Sequence, residues 1–102
     1  RDLPDLATCL AELPTLLEAL TRRQARLDAD YRPDKPFVKV NFHDFTQTTI
    51  EQAGAPIELN SYQLLLSAAF MRGNKPVRLL GVGVRLHDLQ QQDAVQLDLF
   101  DP

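Results

Sequence analysis

Leucine recurs at helical spacing near the start of the chain. Six leucines follow one another at intervals of three or four residues: Leu3, Leu6, Leu10, Leu13, Leu17 and Leu20. That spacing places them on one face of an α-helix. Proline lacks an amide proton and fits the first turn of a helix better than its interior. We therefore predict two helices, over about 4–13 and 14–28, with Pro14 as the first residue of the second.

The middle of the chain alternates apolar and polar residues, as a half-buried strand does. In the segment FVKVNFHDF, Val38, Val40 and Phe42 are predicted to face one side of a sheet, and Lys39 and Asn41 the other. The next segment, TQTTIEQA, is rich in β-branched residues and is predicted as a second strand.

A further helix and a last strand are predicted after these two strands. The segment SYQLLLSAAF places apolar residues on one helical face before Gly73 ends the helix. The segment VRLLGVGVRL is dense in branched apolar residues, which favour a strand. The order α-α-β-β-α-β predicts an α+β fold, a two-layer sandwich of one sheet and one helical layer.

Length and composition indicate one globular domain. The chain has 102 residues, enough for a single modest core. Its content of 44% hydrophobic and 25% charged residues is typical of a soluble protein. No apolar run has the length of a membrane span, and the single cysteine, Cys9, cannot form an internal disulfide. We therefore expect a cytoplasmic protein without a membrane partner.

Charge is unevenly distributed along the chain, although the net charge is only −3. The stretch from Leu59 to His87 has no acidic residue and carries four cations: Arg72, Lys75, Arg78 and Arg85. The tail beyond it reverses the sign with four acids: Asp88, Asp93, Asp98 and Asp101. A basic body attracts phosphate and an acidic tail repels it, so we expect body and tail to bind different partners.

Residue types that carry catalysis do not cluster in the sequence. His43 and His87 lie far apart, with no cysteine or carboxylate at metal-ligand spacing. Ser61 and Ser67 have no recognisable base partner, and no phosphate-binding glycine loop opens a helix. We therefore expect no catalytic residue, no metal site and no cofactor in this chain.

Three segments in this order, FHDFTQTT, PVRLLGVGVRL and the terminal QLDLF, resemble the C-terminal little-finger domain of bacterial DNA polymerase IV. That enzyme is a family-Y polymerase of low fidelity, which acts in DNA replication, DNA damage tolerance and repair by translesion synthesis. The resemblance implies that the parent protein is a DNA-directed DNA polymerase, a nucleotidyltransferase with magnesium in its palm domain. The catalytic carboxylates of the palm are absent from this chain.

The resemblance also implies a topology. The family's little finger is βαββαβ, with two helices on one face of a four-stranded sheet. This chain starts almost within the first helix, so we expect the first strand to be missing and three strands to remain. A sheet edge without its neighbour exposes unpaired backbone groups, so we expect self-association through that edge.

Duplex primer–template DNA is the first partner that the resemblance implies. In the family, the sheet region lies against the major groove and contacts mainly the phosphate backbone. Short polar side chains let phosphates approach a sheet, and cations neutralise them. By resemblance and charge, eight residues are expected to bind DNA: Thr46, Gln47, Thr48, Thr49, Arg78, Lys39, Lys75 and Arg85.

The bacterial sliding clamp is the second implied partner, because QLDLF is similar to the peptide by which bacterial polymerases bind it. Four residues are expected to contact the clamp: Gln96, Leu97, Leu99 and Phe100. The predicted organisation is a DNA-binding domain at 1–86, a flexible linker at 87–95 and a clamp-binding peptide at 96–102. The alternative is that the tail forms a final strand or folds over the core.

A different class of protein is the main alternative for the whole chain. A ferredoxin-like adaptor that binds only proteins would have a similar sandwich and an ordinary basic surface. Binding of primer–template DNA at low and moderate salt separates these two hypotheses.

Overall fold

The computed structural model describes residues 2–26, 31–88 and 94–98, with side chains at 2–26 and 33–86. Two helices and four strands follow one another in the chain: α1 (Leu6–Gln24), β1 (Tyr31–Phe42), β2 (Gln47–Glu51), α2 (Leu59–Gly73), β3 (Val77–Asp88) and β4 (Ala94–Asp98). Both helices pack on one face of an antiparallel sheet with the order β2-β1-β3-β4. The predicted α+β two-layer sandwich is therefore confirmed.

Helix α1 is continuous, so the prediction of two helices divided at Pro14 is wrong. The helix begins after Asp5, whose carboxylate accepts hydrogen bonds from the Thr8 amide at 2.9 Å and the Thr8 hydroxyl at 2.7 Å. Pro14 lies in the helix interior, where proline costs about 3 kcal/mol. Leu13 and Leu20 on either side of it are fully buried, and each contributes roughly 1.5–3 kcal/mol by leaving water. Their burial offsets the proline. The predicted helix end near Asp28 lies outside the described residues.

The core lies between the sheet and the helices. It contains residues from both helices and the two central strands: Cys9, Leu13, Leu20, Val38, Val40, Phe42, Tyr62, Leu65, Leu66, Ala69, Phe70, Val77, Val82, Val84 and Leu86. The predicted inward-facing residues of β1 are all among them, so the period-two pattern gave the correct face. The buried phenol of Tyr62 donates a hydrogen bond to the Gly83 carbonyl at 2.8 Å, which links α2 to β3. Burial raises the pKa of this phenol further above neutral pH.

The tail forms a further strand, β4. A final strand was predicted only as the alternative to a linker and a clamp-binding peptide. Strand β3 extends to Asp88, and β4 pairs antiparallel with it from His87↔Ala94 to Gly83↔Asp98. Three strands and a flexible linker at 87–95 were predicted. The strand count is wrong, because the described residues form four strands, and residues 87, 88, 94 and 95 belong to strands rather than to a linker. The alternative of a final strand describes 94–98. Pairing satisfies backbone groups that an open edge of β3 would leave exposed to water. Residues 89–93 and 99–102 lie outside the described residues.

Gly73 at the end of α2 lets the backbone approach the Phe42 ring closely, and replacing Gly73 is expected to destabilise the fold. A Cβ atom at this position would overlap the buried ring of Phe42, with Cε2 at 2.6 Å. Overpacking of this kind costs about 1–3 kcal/mol. We expect Gly73→Ala to lower the free energy of unfolding by this amount in urea denaturation. Ala68→Ser, on the exposed face of the same helix, is the control and should change it by less than about 0.5 kcal/mol. Equal stability of Gly73→Ala and the natural chain would show that Phe42 can move away.

Candidate nucleic-acid interface

The sheet face opposite the helices, which we call the open face, carries short polar and basic side chains. Backbone pairing places Lys39 opposite Thr49 and Asn41 opposite Gln47. These positions alternate with the core residues of β1, so they belong to the other side of the sheet. Gln47 and Thr49 are exposed, and Lys39 is half-buried. Three of the predicted DNA contacts thus lie side by side across two strands.

Thr48 lies on the opposite side of β2 from Gln47 and Thr49. It pairs with Val40, a core position, and its hydroxyl accepts a hydrogen bond from Arg72 Nη1 at 3.0 Å. The alternation of side chains along a strand means that three consecutive threonine or glutamine positions cannot share one face. Thr48 therefore does not belong to the open face, and a direct DNA contact by it stays an untested prediction.

Arg72 is a candidate site residue that was not among the predicted DNA contacts. With Thr48, Gln47 and Lys75 it lines a pocket of about 320 Å³ between α2 and the start of β2. It is exposed in the last helical turn, where cations are favoured by the helix dipole. In the sequence, the signal for Arg72 was its place in the acid-free stretch. Its contact with Thr48 could not be predicted, because the two residues lie 24 positions apart in the chain.

The tip of the β1–β2 hairpin carries a compact charged network. The Asp44 carboxylate accepts hydrogen bonds from the Thr46 amide at 3.2 Å and the Thr46 hydroxyl at 2.6 Å. It also forms an ion pair with Lys75, which precedes β3. The hydrogen bonds from Lys75 and then Thr46 hold the pKa of Asp44 well below its usual range. Two predicted DNA contacts, Thr46 and Lys75, are therefore fixed around one ionised carboxylate.

A second network lies on the open face around Glu51. Its carboxylate accepts a hydrogen bond from Arg85 Nε at 2.8 Å and lies 3.4 Å from Lys35 Nζ. The hydrogen bond from Arg85 is the main reason that the pKa of Glu51 is lowered. The Arg85 guanidinium also lies 4.6 Å from the centre of the Phe37 ring. Arg85, another predicted contact, is thus present on this face with its charge partly neutralised.

Arg78 lies at an irregularity in the central strand pair. Asn41 pairs with Leu79 and Phe42 with Val77, which leaves Arg78 without a partner residue in β1. Its guanidinium lies 4.6 Å from the centre of the Phe45 ring at the hairpin tip. Within the described residues, the buried Nε of Arg78 has no hydrogen-bond acceptor. Arg78 therefore presents a cation whose charge no described carboxylate neutralises.

The chemistry of this surface is that of anion binding. Hydroxyl, amide and guanidinium donors lie along β2, the hairpin tip and β3, and such donors suit phosphate oxygens.

Among the described residues, no group of three histidine, cysteine or acidic side chains converges as a metal site. In the same residues, no helix has both the length and the hydropathy needed to cross a membrane. Cys9 is buried, and desolvation raises the pKa of its thiol to about 11, which makes it a poor nucleophile.

The predicted clamp-binding residues are only partly within the described chain. Gln96 and Leu97 belong to β4, where their backbones pair with Arg85 and Val84. Leu99 and Phe100 lie outside the described residues. The tail segment is therefore extended as far as Asp98 and lies at the outer edge of the sheet.

Comparisons with known proteins show the family to which this chain belongs. Residues 1–99 match the model of the impB/mucB/samB family C-terminal domain. DNA polymerase IV of Ectopseudomonas mendocina (strain ymp) is 67% identical over 100 residues, which are 98% of this chain and 28% of that protein. DNA polymerase IV of Pseudomonas putida (strain GB-1) is 67% identical over 101 residues, which are 99% of this chain and 28% of that protein. The chain thus spans about 28% of the length of these curated relatives.

One solved structure extends the comparison to the fold. It is described as "Complex of beta-clamp processivity factor and little finger domain of PolIV". The similarity has a TM-score of 0.72 at 29% sequence identity and covers 81% of this chain and 77% of that chain. The predicted resemblance to a little-finger domain is confirmed. The chain belongs to the family of impB/mucB/samB C-terminal domains, and its two-layer fold is similar to that of the PolIV little finger.

Proposed function

We propose that this chain is the little-finger domain of a translesion DNA polymerase IV, which binds duplex primer–template DNA and attaches the enzyme to the sliding clamp. The observation that carries the DNA part is the open face, where Lys39, Gln47 and Thr49 lie side by side. Arg78 adds a cation without a described carboxylate partner. The polymerase activity itself is assigned to the rest of such an enzyme, because this chain spans only about 28% of the length of its curated relatives.

Phosphate-backbone binding explains the residue types of this surface. Threonine and glutamine donors are short, so a phosphate can approach the sheet closely, while the flanking cations neutralise it and release counterions. Backbone contacts are independent of base identity, which suits a polymerase that must accept every sequence and damaged templates. The carboxylates of Asp44 and Glu51 limit the net positive charge and keep the cations in fixed positions.

A mobility-shift titration of the 102-residue chain with primer–template DNA tests this function. We expect binding at low salt that weakens steeply at moderate salt and does not depend on sequence. Two duplexes of unrelated sequence and equal length provide the comparison. If neither binds at low salt, the protein-adaptor alternative is favoured and DNA binding by this chain is rejected.

Removing the negative charge of Glu51 is expected to strengthen DNA binding. Its carboxylate holds Arg85 at 2.8 Å and Lys35 at 3.4 Å, so it competes with phosphate for both cations. We expect Glu51→Gln to tighten binding about threefold to tenfold at low salt, with a smaller effect at high salt where charges are screened. Fluorescence anisotropy of labelled duplex measures this.

The control for this variant is Glu18→Gln, which removes the same charge from α1. Glu18 forms an exposed ion pair with Arg22 on the helical layer, away from the open face. We expect its affinity to change much less than that of Glu51→Gln. Unchanged or weaker binding by Glu51→Gln would place the DNA on a different surface.

The clamp part of the proposal concerns the tail. The segment is already extended in β4, the conformation in which peptides enter hydrophobic grooves of a partner. Within the described part of the tail, five residues pair with β3 at the sheet edge, a short ladder that opens at low cost. We propose that a hydrophobic pocket of the clamp binds Leu99 and Phe100 while Gln96 forms a hydrogen bond at the rim of that pocket. Strand β4 then separates from β3 as far as clamp binding requires.

Self-association depends on the state of the tail. An open sheet edge was predicted without being assigned to a strand; in the structure, β3 is paired with β4 over Gly83–His87. Release of β4 by the clamp would expose that edge again, so self-association is expected only when the tail is engaged elsewhere.

A further inference from the structure

Phe45 at the tip of the β1–β2 hairpin is unusually exposed for its size. Its side chain is 75% exposed, more than any other large hydrophobic residue of the described chain. The ring therefore contributes little to the core. A single exposed hydrophobic residue is common and does not by itself indicate a partner; the inference rests on the backbone at Phe45 and on the cation beside its ring.

The backbone at Phe45 is also in an unfavourable conformation. Phe42 donates its amide to the Thr46 carbonyl at 2.8 Å and accepts from the Phe45 amide at 2.9 Å, so the loop has three residues. In such loops the last residue adopts left-handed angles, a position where glycine is favoured. Phe45 has φ 69°, which a bulky side chain rarely adopts. Glycine would relieve this strain, so the backbone conformation does not account for the phenylalanine side chain.

The surroundings of the ring are cationic. The Arg78 guanidinium lies 4.6 Å from its centre, and the next residue, Thr46, belongs to the network of Asp44 and Lys75. Because Arg78 Nε has no acceptor among the described residues, the ring rather than a carboxylate fixes this cation. An apolar surface beside an unneutralised guanidinium matches one chemistry well: a nucleotide, with a phosphate next to a flat apolar sugar or base.

We propose that Phe45 is a DNA-contacting residue that packs against the apolar face of a nucleotide while Arg78 binds the adjacent phosphate. The inference rests on the proposed DNA binding and adds an apolar contact to a surface otherwise made of hydrogen-bond donors and charges. The nucleotide face is either the deoxyribose wall of the duplex groove or an unpaired base of the template overhang. Both present a flat apolar surface beside a phosphate.

Variants of Phe45 separate this role from a purely structural one. We expect Phe45→Ala and Phe45→Gly to weaken DNA binding about tenfold in the anisotropy assay. Their melting temperatures should stay close to that of the natural chain, because the ring is exposed and glycine suits the left-handed backbone. Leu64→Ala is the control: Leu64 is 63% exposed on α2, and its loss should leave DNA affinity unchanged.

Two outcomes of this comparison overturn the proposal. One is DNA affinity unchanged in both variants. The other is a loss of affinity that follows a large fall in melting temperature and is fully restored at a temperature where the variants are folded. The second result would mean that Phe45 only holds the hairpin and Arg78 in place.

Phe45→Trp provides a direct readout, because the chain contains no tryptophan. We expect its single fluorescence signal to be quenched when DNA is added and to recover at high salt. Quenching by a blunt duplex as well as by a primer–template assigns the deoxyribose wall; quenching only by the primer–template assigns the unpaired base. Unchanged fluorescence with both DNAs, under conditions where anisotropy shows binding, overturns the proposal.

These results also separate this inference from the proposed function. If the natural chain binds no DNA in the anisotropy assay, both fail together. If it binds DNA and the Phe45 variants bind equally well, the proposed function stands and only the role of Phe45 is rejected.

Discussion

Replacing Leu99 and Phe100 with alanine is expected to abolish binding to a bacterial sliding clamp and to leave DNA affinity within about twofold. Deep apolar side chains dominate the binding of short peptides, and each such truncation costs about 2 kcal/mol or more. We expect the tail peptide to bind the clamp with an affinity on the order of micromolar, so binding falls below detection when both side chains are lost. The double variant does not alter 94–98, so the pairing of β4 with β3 is retained. Surface plasmon resonance with immobilised clamp measures the clamp affinity of the natural chain and of the double variant.

Two further variants control this experiment. Deletion of 96–102 should give the same loss of clamp binding, although it also removes part of β4. Asp101→Ala alters the charge of the tail without changing its apolar residues, and it should bind the clamp nearly as well as the natural chain. Equal clamp affinity of the natural chain and the double variant would show that the terminal apolar residues are not the binding element.

Arg78→Ala is expected to weaken DNA binding about tenfold at low salt, and equally for all sequences. The loss of one phosphate contact should reduce the slope of log affinity against log salt by about one. The variant also removes the cation that lies over Phe45, so the effect should exceed that of losing an isolated surface charge. Anisotropy titrations at four salt concentrations, with two unrelated duplexes, measure both quantities.

The control for Arg78 is Arg22→Ala. Arg22 is an exposed cation on α1 that pairs with Glu18, so its loss changes the net charge equally but away from the open face. We expect a much smaller effect on affinity and on the salt slope. A change in base preference by Arg78→Ala, with an unchanged salt slope, would contradict phosphate binding by this residue.

The sheet and α2 were predictable because their patterns match their environment. Val38, Val40 and Phe42 alternate as a half-buried strand requires, and they form one side of the core. The interior position of Pro14 was not predictable from local preference, because the burial of leucines on both sides decides it. Strand β4 was not the first interpretation of a polar tail, because it forms to pair the edge of β3, which depends on the whole sheet.

The candidate site was predictable in outline and not in detail. Composition along the chain located the cations, but only the three-dimensional structure shows which of them carboxylates neutralise. Arg85 is held by Glu51 and Lys75 by Asp44, whereas Arg78 lies against an aromatic ring. Strand alternation alone was sufficient to separate Thr48 from Thr49, although the residue types favoured treating them as one set.

Simultaneous binding of DNA and clamp is the most direct test of the central claim, that two separate parts of this chain hold two partners. Clamp is titrated into the chain saturated with labelled primer–template DNA, with the Leu99 and Phe100 double variant as the control. The account predicts a ternary complex of higher anisotropy, with DNA affinity unchanged within about twofold, for the natural chain only. Release of the DNA as the clamp binds would contradict it, because the two partners would then share one surface.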